Sequence, residues 1–433
     1  MMGATIKNAW KNHEIRTKML FTLLILLLFR LGSAIPVPFI STSTLQMYFQ
    51  AMDNTALGLL NTISGGAFAS ATVFALGVQP YINASIIVQL LCVAIPALEN
   101  MAKEEGEIGR KKIERITMYV AIGLGLLQAY GYYVLISRNG LLQESAVGVW
   151  WKAAIIIFAF AAGSVVIMFM GKAIDKKGVG NGISMILFAG IISRLPHSII
   201  STAANIVSGN LAWWIALLTY LGVLALIVLI VYVNDAERRI PIQYATRTVG
   251  RKTYSAHSSF LPMRVNMGGV MPIIFAQTIV TVPATIAAFV GKTNSWWAQT
   301  NNILYIIVYT LLIIGFAYFY ASITFDCFEV SNTLKKNGGT IPGYRPGKPT
   351  TEVLVGVLKR ITLIGAVYLG IVAVIPMIIS HFVPAVSLTG LSLGGTTIII
   401  AVGVALDTFR DVEMKLQVRN YSGLFAEQNG RIR

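Results

Sequence analysis

Asn54-Thr55-Ala56-Leu57-Gly58-Leu59-Leu60-Asn61-Thr62-Ile63-Ser64-Gly65-Gly66-Ala67-Phe68-Ala69-Ser70-Ala71-Thr72-Val73-Phe74-Ala75-Leu76-Gly77-Val78-Gln79-Pro80-Tyr81-Ile82 begins a run that reaches Asn100 with one charged side chain, Glu99. A continuous helix over that run would extend about 65–70 Å, against a hydrocarbon layer of about 30 Å. The chain must therefore break, and Ser64-Gly65-Gly66 is the expected place. Leu57 to Ile63 is then a short uncharged half-helix, and Thr72 to Ala97 a full span. A half-helix tucked beside a full span points to something that lines, or closes, a path through a membrane.

The same scarcity of charge runs through the chain. Of 433 residues, 55% are hydrophobic and 12% charged, which makes this a polytopic membrane protein. Spans are expected near 19–38, 72–98, 116–137, 153–172, 182–200, 212–233, 267–290, 303–325, 361–381 and 395–410, ten in all. Lys7, Lys11, Arg16 and Lys18 precede the first span, like the charged start of a signal peptide. No small-residue cleavage site follows, and Pro36-Val37-Pro38 does, so a retained helix is expected. Cys92 and Cys327 lie far apart in apolar surroundings and imply no disulfide framework.

Lys and Arg number 34 against 18 Asp and Glu, a formal net charge of +16. All but Arg30, Arg138, Lys152, Arg194 and Lys292 fall in the termini and alternate connections. By the positive-inside rule both termini are cytoplasmic and the span number is even. The charge gathers on one face, where it meets anionic lipid headgroups or an acidic or RNA-bearing partner. Two connections on that face, 234–266 and 327–360, are too long to be mere links. The first alternates small, aromatic and basic residues around Val249-Gly250, which suggests a projecting β-hairpin. In the second, Ile341-Pro342-Gly343-Tyr344-Arg345-Pro346-Gly347 stiffens a tip that holds Arg345 outward. The plainer alternative is a solvated basic loop that only fixes topology, but topology does not require shaped loops.

A repeat is also visible. Gly77-Val78-Gln79-Pro80-Tyr81-Ile82 in the second span recurs as Gly269-Val270-Met271-Pro272-Ile273-Ile274 in the seventh. An odd number of spans separates the copies, so the halves are inverted, an arrangement that places working sites at the repeat interface near mid-membrane. Each Pro is expected inside its span, kinking the helix.

Charge inside the spans is confined to Arg30, expected to pair with a backbone carbonyl or to snorkel, and to Asp407 near the end of the last. That counts against an ion-coupled transporter, which carries intramembrane carboxylates or histidines. No paired carboxylates, metal-ligand spacing or nucleophile–base set is present. Gly178-Val179-Gly180-Asn181-Gly182-Ile183-Ser184 looks like a phosphate loop but lacks its Lys, and is better read as a flexible approach to the fifth span. A passive polypeptide channel, a small-solute transporter and an insertase scaffold are the functions to weigh. The shaped basic loops favour the first or the third, and the glycine-rich half-helix with the aliphatic pairs favours the first over the third.

Several stretches resemble the SecY/Sec61α family of secretion channels. They are Arg30 with Ile35-Pro36 and Pro38; Ser64 to Ala67 running through Phe74 to Leu91; Glu105 to Ile113; Gly178 to Ser184; Arg238-Arg239-Ile240-Pro241 with Gln243-Tyr244-Ala245; Leu261-Pro262 with Val265-Asn266; Ile341 to Gly347; and Gly394 to Thr397. They run in family order over nearly the whole chain, with Val78 and Leu187 standing where isoleucine is frequent. The resemblance implies an all-α membrane protein of ten transmembrane helices. Its two inverted five-helix halves, 1–200 and 201–433, would surround a central hourglass channel, with a short re-entrant plug helix at about 57–71 and a C-terminal tail at 411–433. The plug would comprise Leu57, Leu60, Ile63, Ser64, Gly65, Gly66, Ala67, Phe68 and Ala71, in which Gly65, Gly66, Ala67, Ala69, Ser70 and Ala71 pack closely but weakly; a rigid re-entrant helix is the competing view. The pore ring would be Val78, Ile82, Ile183, Leu187, Ile274 and Ile400, with a lateral gate between spans two and three and spans seven and eight.

The pairs at spacing four each present one helical face, and aliphatic side chains offer an ion no replacement for its water while yielding to a bulky chain. Arg238, Arg239, Lys252, Tyr344 and Arg345 would meet the SecA motor ATPase or the ribosome. The implied partners are the small subunits SecE and SecG, secretory preproteins with their signal peptides, and anionic lipids. No cofactor and no enzymatic activity are implied. The implied site of action is the bacterial cytoplasmic membrane.

Overall fold

The computed structural model describes residues 9–50, 55–103, 106–143, 148–244, 247–249, 252–254, 258–290, 299, 302–383, 385–386 and 395–430. Helices α1 (His13–Gly32), α2 (Thr42–Gln50), α3 (Ala56–Ile63), α4 (Gln79–Ala94), α5 (Pro96–Lys103), α6 (Gly106–Arg138), α7 (Val149–Lys177), α8 (Gly182–Ile192) and α9 (Leu195–Val207) form the first part of the chain. The second contains α10 (Trp213–Asp235), α11 (Met271–Val290), α12 (Ile303–Thr324), α13 (Cys327–Lys336), α14 (Lys348–Phe382) and α15 (Gly395–Gly430). Among the described residues, six helices are long and apolar enough to cross a membrane, counting α8–α9 and α12–α13 each as one. α1, α4, α11 and α15 stand where the other four spans are expected.

The break in the opening stretch falls where two adjacent glycines permit it. α3 ends at Ile63, and Gly65 and Gly66 adopt left-handed φ of +70° and +87°. The interruption is longer than expected: residues 73–78 are turns, so the second helix starts at Gln79, not near 72. It also stops earlier, at Ala94, because Pro96 holds Ile95 extended (φ −111°, ψ 112°). The first helix likewise ends at Gly32, and the Pro-rich segment after it meets the far side of the break in an isolated antiparallel bridge, Pro36↔Thr72. Val37 N–H donates to Ala71 O (2.9 Å) and Val73 N–H to Ile35 O (3.0 Å). The fifth span is split at Ser193-Arg194, with Pro196 in the first turn of α9.

Pro80 and Pro272 are not kinks. Each is the second residue of its helix, where the missing N–H costs nothing and the fixed φ suits the first turn.

The projecting hairpin is present as a two-stranded sheet of its own beyond a three-stranded one. β1 (Glu237–Tyr244) pairs antiparallel with β4 (Ser258–Arg264), and β2 (Arg247–Val249) with β3 (Lys252–Tyr254) at the tip. β5 (Gly339–Thr340), from the second long connection, adds to β1 through Gln243↔Thr340 and Tyr244↔Gly339. The two long connections are thus one sheet-bearing unit on an otherwise helical fold. Beneath it Ile240, Met263, Cys327, Ile341, Leu354 and Leu358 form a small core of their own. Gly250 and the side chain of Lys252 lie outside the described residues.

Candidate functional site

The largest apolar cluster draws side chains from α1, α4, α7, α8, α10, α11, α12, α14 and α15, and so joins both parts of the chain. Val78, Ile82, Leu187, Ile274 and Ile400 are buried within it, and Ile183 packs against its edge half-buried. The δ-methyl of Ile183 lies over α7, where a Cβ added at Gly171 would stand 2.6 Å from it. Ile186, buried beside Leu187, and Ile86, one turn beyond Ile82, belong to the same cluster. Ile86 is signalled by the spacing Val78, Ile82, Ile86; nothing in the sequence separates Ile186 from Ile183.

The repeat accounts for the placement of Ile82 and Ile274. Gly77 and Gly269 both take left-handed φ, +55° and +58°. The chain then turns into a helix that opens on a matching bond, Ile82 N–H to Val78 O at 3.1 Å and Ile274 N–H to Val270 O at 3.2 Å.

Of the expected plug residues Ile63 packs against this cluster, while Leu57, Phe68 and Ala71 belong to a second apolar cluster with Tyr132 of α6 and Phe160 of α7, against which Leu60 packs. Leu57, Ser64, Gly65, Ala67, Phe68 and Ala71 are buried, while Leu60, Ile63 and Gly66 are half-buried. The segment is seated more firmly than small residues alone would allow. Asn61 Oδ1 accepts from Ala69 N–H (2.9 Å), and Ser64 Oγ accepts from Phe68 N–H (3.1 Å). Phe68 stacks on Tyr132 of α6 at 4.3 Å between ring centroids, and Tyr132 Oη donates to the Phe68 carbonyl. Arg30 has the role expected of it: its Nη1 donates to Gly65 O at 3.3 Å. Arg194 Nη1 reaches Thr62 Oγ1 at 3.2 Å from the α8–α9 junction. Gly65 and Gly190 approach backbone to backbone; a Cβ on Gly65 would meet Gly190 O at 2.8 Å.

A cavity of about 310 Å³ lies between these parts. The turn residues Ser64 and Phe68 line it together with Val78, Ile86, Leu124, Leu187 and Ile286, and no ionisable side chain does. Its polar lining is neutral, from Gln79, Asn83, Gln128, Thr278, Thr281 and Thr285. The cavity marks a seam where α11 meets α6 and α3. Gln277, buried on α11, has neither amide atom bonded among the described residues. It is a lone amide in an apolar helix, and no motif in the sequence marks it.

The expected docking residues lie on the sheet-bearing unit. Arg238 and Arg345 are exposed, as is Tyr344. Arg239 donates from Nε to Glu237 Oε1 (2.7 Å) and lays its guanidinium over Phe260 at 4.9 Å. The tip 341–347 is fixed from within. Ile341 is buried, Gly343 and Gly347 are left-handed, and Thr350 Oγ1 donates to Arg345 O (2.9 Å). The Arg345 side chain therefore points outward from a stiff loop. Among the described residues no group of His, Cys, Asp or Glu is placed to hold a metal, and both cysteines are free.

A helical membrane protein with a charge-free apolar cluster, a glycine-hinged segment facing it across a cavity and a rigid basic unit has the form of a gated polypeptide channel. The SecY family model matches residues 72–409. The protein translocase subunit SecY of Mycobacterium bovis is 39% identical over 98% of this chain and 99% of its own length. The chain belongs to the SecY family.

Solved structures agree in fold. A SecY channel studied for the plug domain that stabilises its closed state and maintains a membrane seal superposes with a TM-score of 0.65 at 17% identity, over 93% of this chain and 92% of its own. Sec61 in the canine ribosome–channel complex of the endoplasmic reticulum gives a TM-score of 0.62 at 17% identity, over 93% of each chain.

Proposed function

We propose that this chain is the central, pore-forming subunit of a protein-conducting channel in the bacterial cytoplasmic membrane. Unfolded secretory polypeptides pass between its two inverted halves, 1–200 and 201–433, which together cross the membrane ten times with both termini cytoplasmic. Signal sequences and apolar segments leave sideways through the seam between α4–α6 and α11–α12. The ring of Val78, Ile82, Ile183, Leu187, Ile274 and Ile400 limits ion leakage, and the segment from Leu57 to Ala71 stops the resting pore.

One observation carries this reading: side chains chosen from both halves converge on a single cluster that holds no charge, and the glycine-hinged segment faces it across a cavity without ionisable lining. Aliphatic rings exclude hydrated ions by dewetting, yet they part around a chain that fills them. The energy comes from outside, from the SecA motor or a translating ribosome bound at Arg238, Arg239, Lys252, Tyr344 and Arg345. SecE and SecG accompany the subunit, and anionic lipid meets its basic face.

The test is photocrosslinking of a stalled secretory precursor to probes at Ile82 and Ile274, with the exposed α10 positions Leu221 and Val228 as controls. Adducts at the first pair and none at the controls are expected; precursor that labels the controls and spares the ring would sink the reading. For docking, Arg345→Glu leaves folding intact and cripples motor-driven export in vesicles. Normal export would reduce the tip to a topology signal.

A further inference from the structure

Six of the seven tryptophans stand as three adjacent pairs, Trp150-Trp151, Trp213-Trp214 and Trp296-Trp297. The first pair opens α7 and the second opens α10. The third lies outside the described residues, in the connection from α11 to α12. Successive helix positions point about 100° apart, so a pair covers a wide arc of its helix. All four described indoles are exposed, from 52% for Trp214 to 90% for Trp150.

The two described pairs lie at one level of the molecule. The far ends of α7 and α10 are tied together through α15. Gly180 N–H, just beyond α7, donates to Asp411 Oδ2 at 2.9 Å, and Arg410 Nη2 donates to Asp235 Oδ1, at the end of α10, at 2.5 Å. These ends lie on the side of the basic sheet, because α10 leads straight into β1. The Trp ends are therefore on the opposite side.

Their distance from the charged level is the same in both helices. Twenty-one residues separate Trp151 from Lys172 and Trp214 from Asp235, and the only charge within either stretch is Lys152, beside Trp151. Lys152 Nζ donates to Gln143 O of the preceding connection at 3.3 Å. At about 1.5 Å per residue each stretch spans about 32 Å, against a hydrocarbon layer of about 30 Å. Two helices of unlike sequence thus set paired indoles one hydrocarbon thickness from their next charge.

The Trp side is also the side poor in Lys and Arg, so it lacks the attraction to anionic lipid that the basic face has. An indole joins an apolar body to one N–H donor, the combination favoured where acyl chains meet glycerol carbonyls and headgroups. A protein partner fits less well. α7 packs on α6, α8 and α1, whereas α10 packs on α15, so one partner would have to reach two flanks at a single depth. A lipid surface lies at that depth all round.

We propose that the Trp pairs are the chain's contact with the phospholipid headgroup region of the leaflet opposite its basic face, and that they fix the depth at which that side sits. The basic face is held by charge, which salt screens; the Trp side is held by amphipathic rings, which salt leaves alone. The proposal stands apart from what the channel conducts.

The test reads Trp fluorescence from the channel, assembled with partner subunits free of Trp, in phosphatidylcholine vesicles. The lipids are brominated either near the headgroup end or near the middle of their acyl chains. Trp10→Phe, Trp296→Phe and Trp297→Phe together leave the four described indoles as the only emitters. Bromine near the headgroup is expected to quench at least about twofold more than bromine at mid-chain, with the same ratio at high salt. Equal or stronger quenching from mid-chain would put the rings in the hydrocarbon. Quenching by aqueous acrylamide and by neither lipid would put them in water, and no quenching by any of the three would mean that the partner subunits cover them. Each of these results overturns the proposal, as does a ratio that collapses in high salt. If the triple variant does not fold, the unaltered chain is measured instead, and the same ordering is expected because six of its seven emitters belong to the pairs.

Discussion

The two copies of the Gly-Val-x-Pro-x-Ile motif are built alike and supplied differently. In both, a left-handed glycine turns the chain and a proline opens the helix, and matching amides bond matching carbonyls. Gln79 N–H meets Leu76 O and Met271 N–H meets Gly268 O, each at 3.3 Å. The first copy is fed by the long non-helical stretch after α3, seated on α6 and α8. The second is fed by the end of β4 and a short turn. The shared device delivers the Val and the last Ile of each copy to the cluster, Val78 with Ile82 and Val270 with Ile274. What precedes it decides which copy is fed by the proposed stopper and which by the basic sheet.

Removing the stopper is the most forceful way to test that difference. A chain lacking Leu57–Ala71 should still assemble, because α4 and its first-turn bonds begin downstream of the deletion. Resting ion conductance should rise by about tenfold or more, since the aliphatic ring alone then separates the two aqueous sides. Planar-bilayer recordings measure this, and unchanged resting conductance would make the segment a structural re-entrant helix instead.

The next test asks whether the copies are one device. Neither Gly77 nor Gly269 has an atom within 4 Å of where a Cβ would stand, so substitution is opposed by backbone conformation and not by crowding. Gly77→Val and Gly269→Val should each cost about 1–2 kcal/mol, and by similar amounts. Thermal unfolding midpoints of the purified complex give the comparison. A chain that tolerates valine in one copy but not the other would show that the resemblance stops at sequence.

What the sequence disclosed, and what it hid, follows from the kind of force involved. The break at Gly65-Gly66 was readable because membrane thickness forbids the alternative and glycine marks the remedy. The positions of Pro80 and Pro272 were misread because hydropathy reports burial in lipid, and residues 73–78 are apolar without being helical. The pairing of β1 with β5 left no trace, since a Gly-Thr dipeptide has no strand signature and its partner is remote in sequence. Arg30 was expected to find a carbonyl, but which one depends on how the turn at Gly65 is seated, which is a tertiary fact. The cluster residues came from the repeat and the family resemblance together. Aliphatic spacing alone could not have separated Ile82 from the many isoleucines that face lipid.

Tyr132→Phe probes the seat of the first copy more gently. The ring stack on Phe68 survives, while the donor to the Phe68 carbonyl is lost from a buried site. The cost should be about 1 kcal/mol, felt by the stopper and not by the second copy. It reads out as more frequent brief openings in single-channel records, with an unfolding midpoint close to wild type. A silent record would mean that Phe68 packing, not this bond, holds the segment.

The smallest effect belongs to the prolines. At the start of a helix the amide has no intrahelical partner, so Pro80→Ala and Pro272→Ala forfeit only a pre-set φ, about 0.5–1 kcal/mol through the unfolded chain. The two differ in what the ring touches. Pro80 is buried with its Cβ 3.7 Å from where a Cβ on Gly125 of α6 would stand, and Pro272 lies close over Gly268 of its own turn. Paired unfolding midpoints should therefore fall slightly at both sites, with Pro80→Ala the lower because its loss also loosens a helix–helix contact. A large loss at either site would mean that the ring supports its helix along its length, as a kink would, and the account of both copies as helix-starting devices would have to be given up.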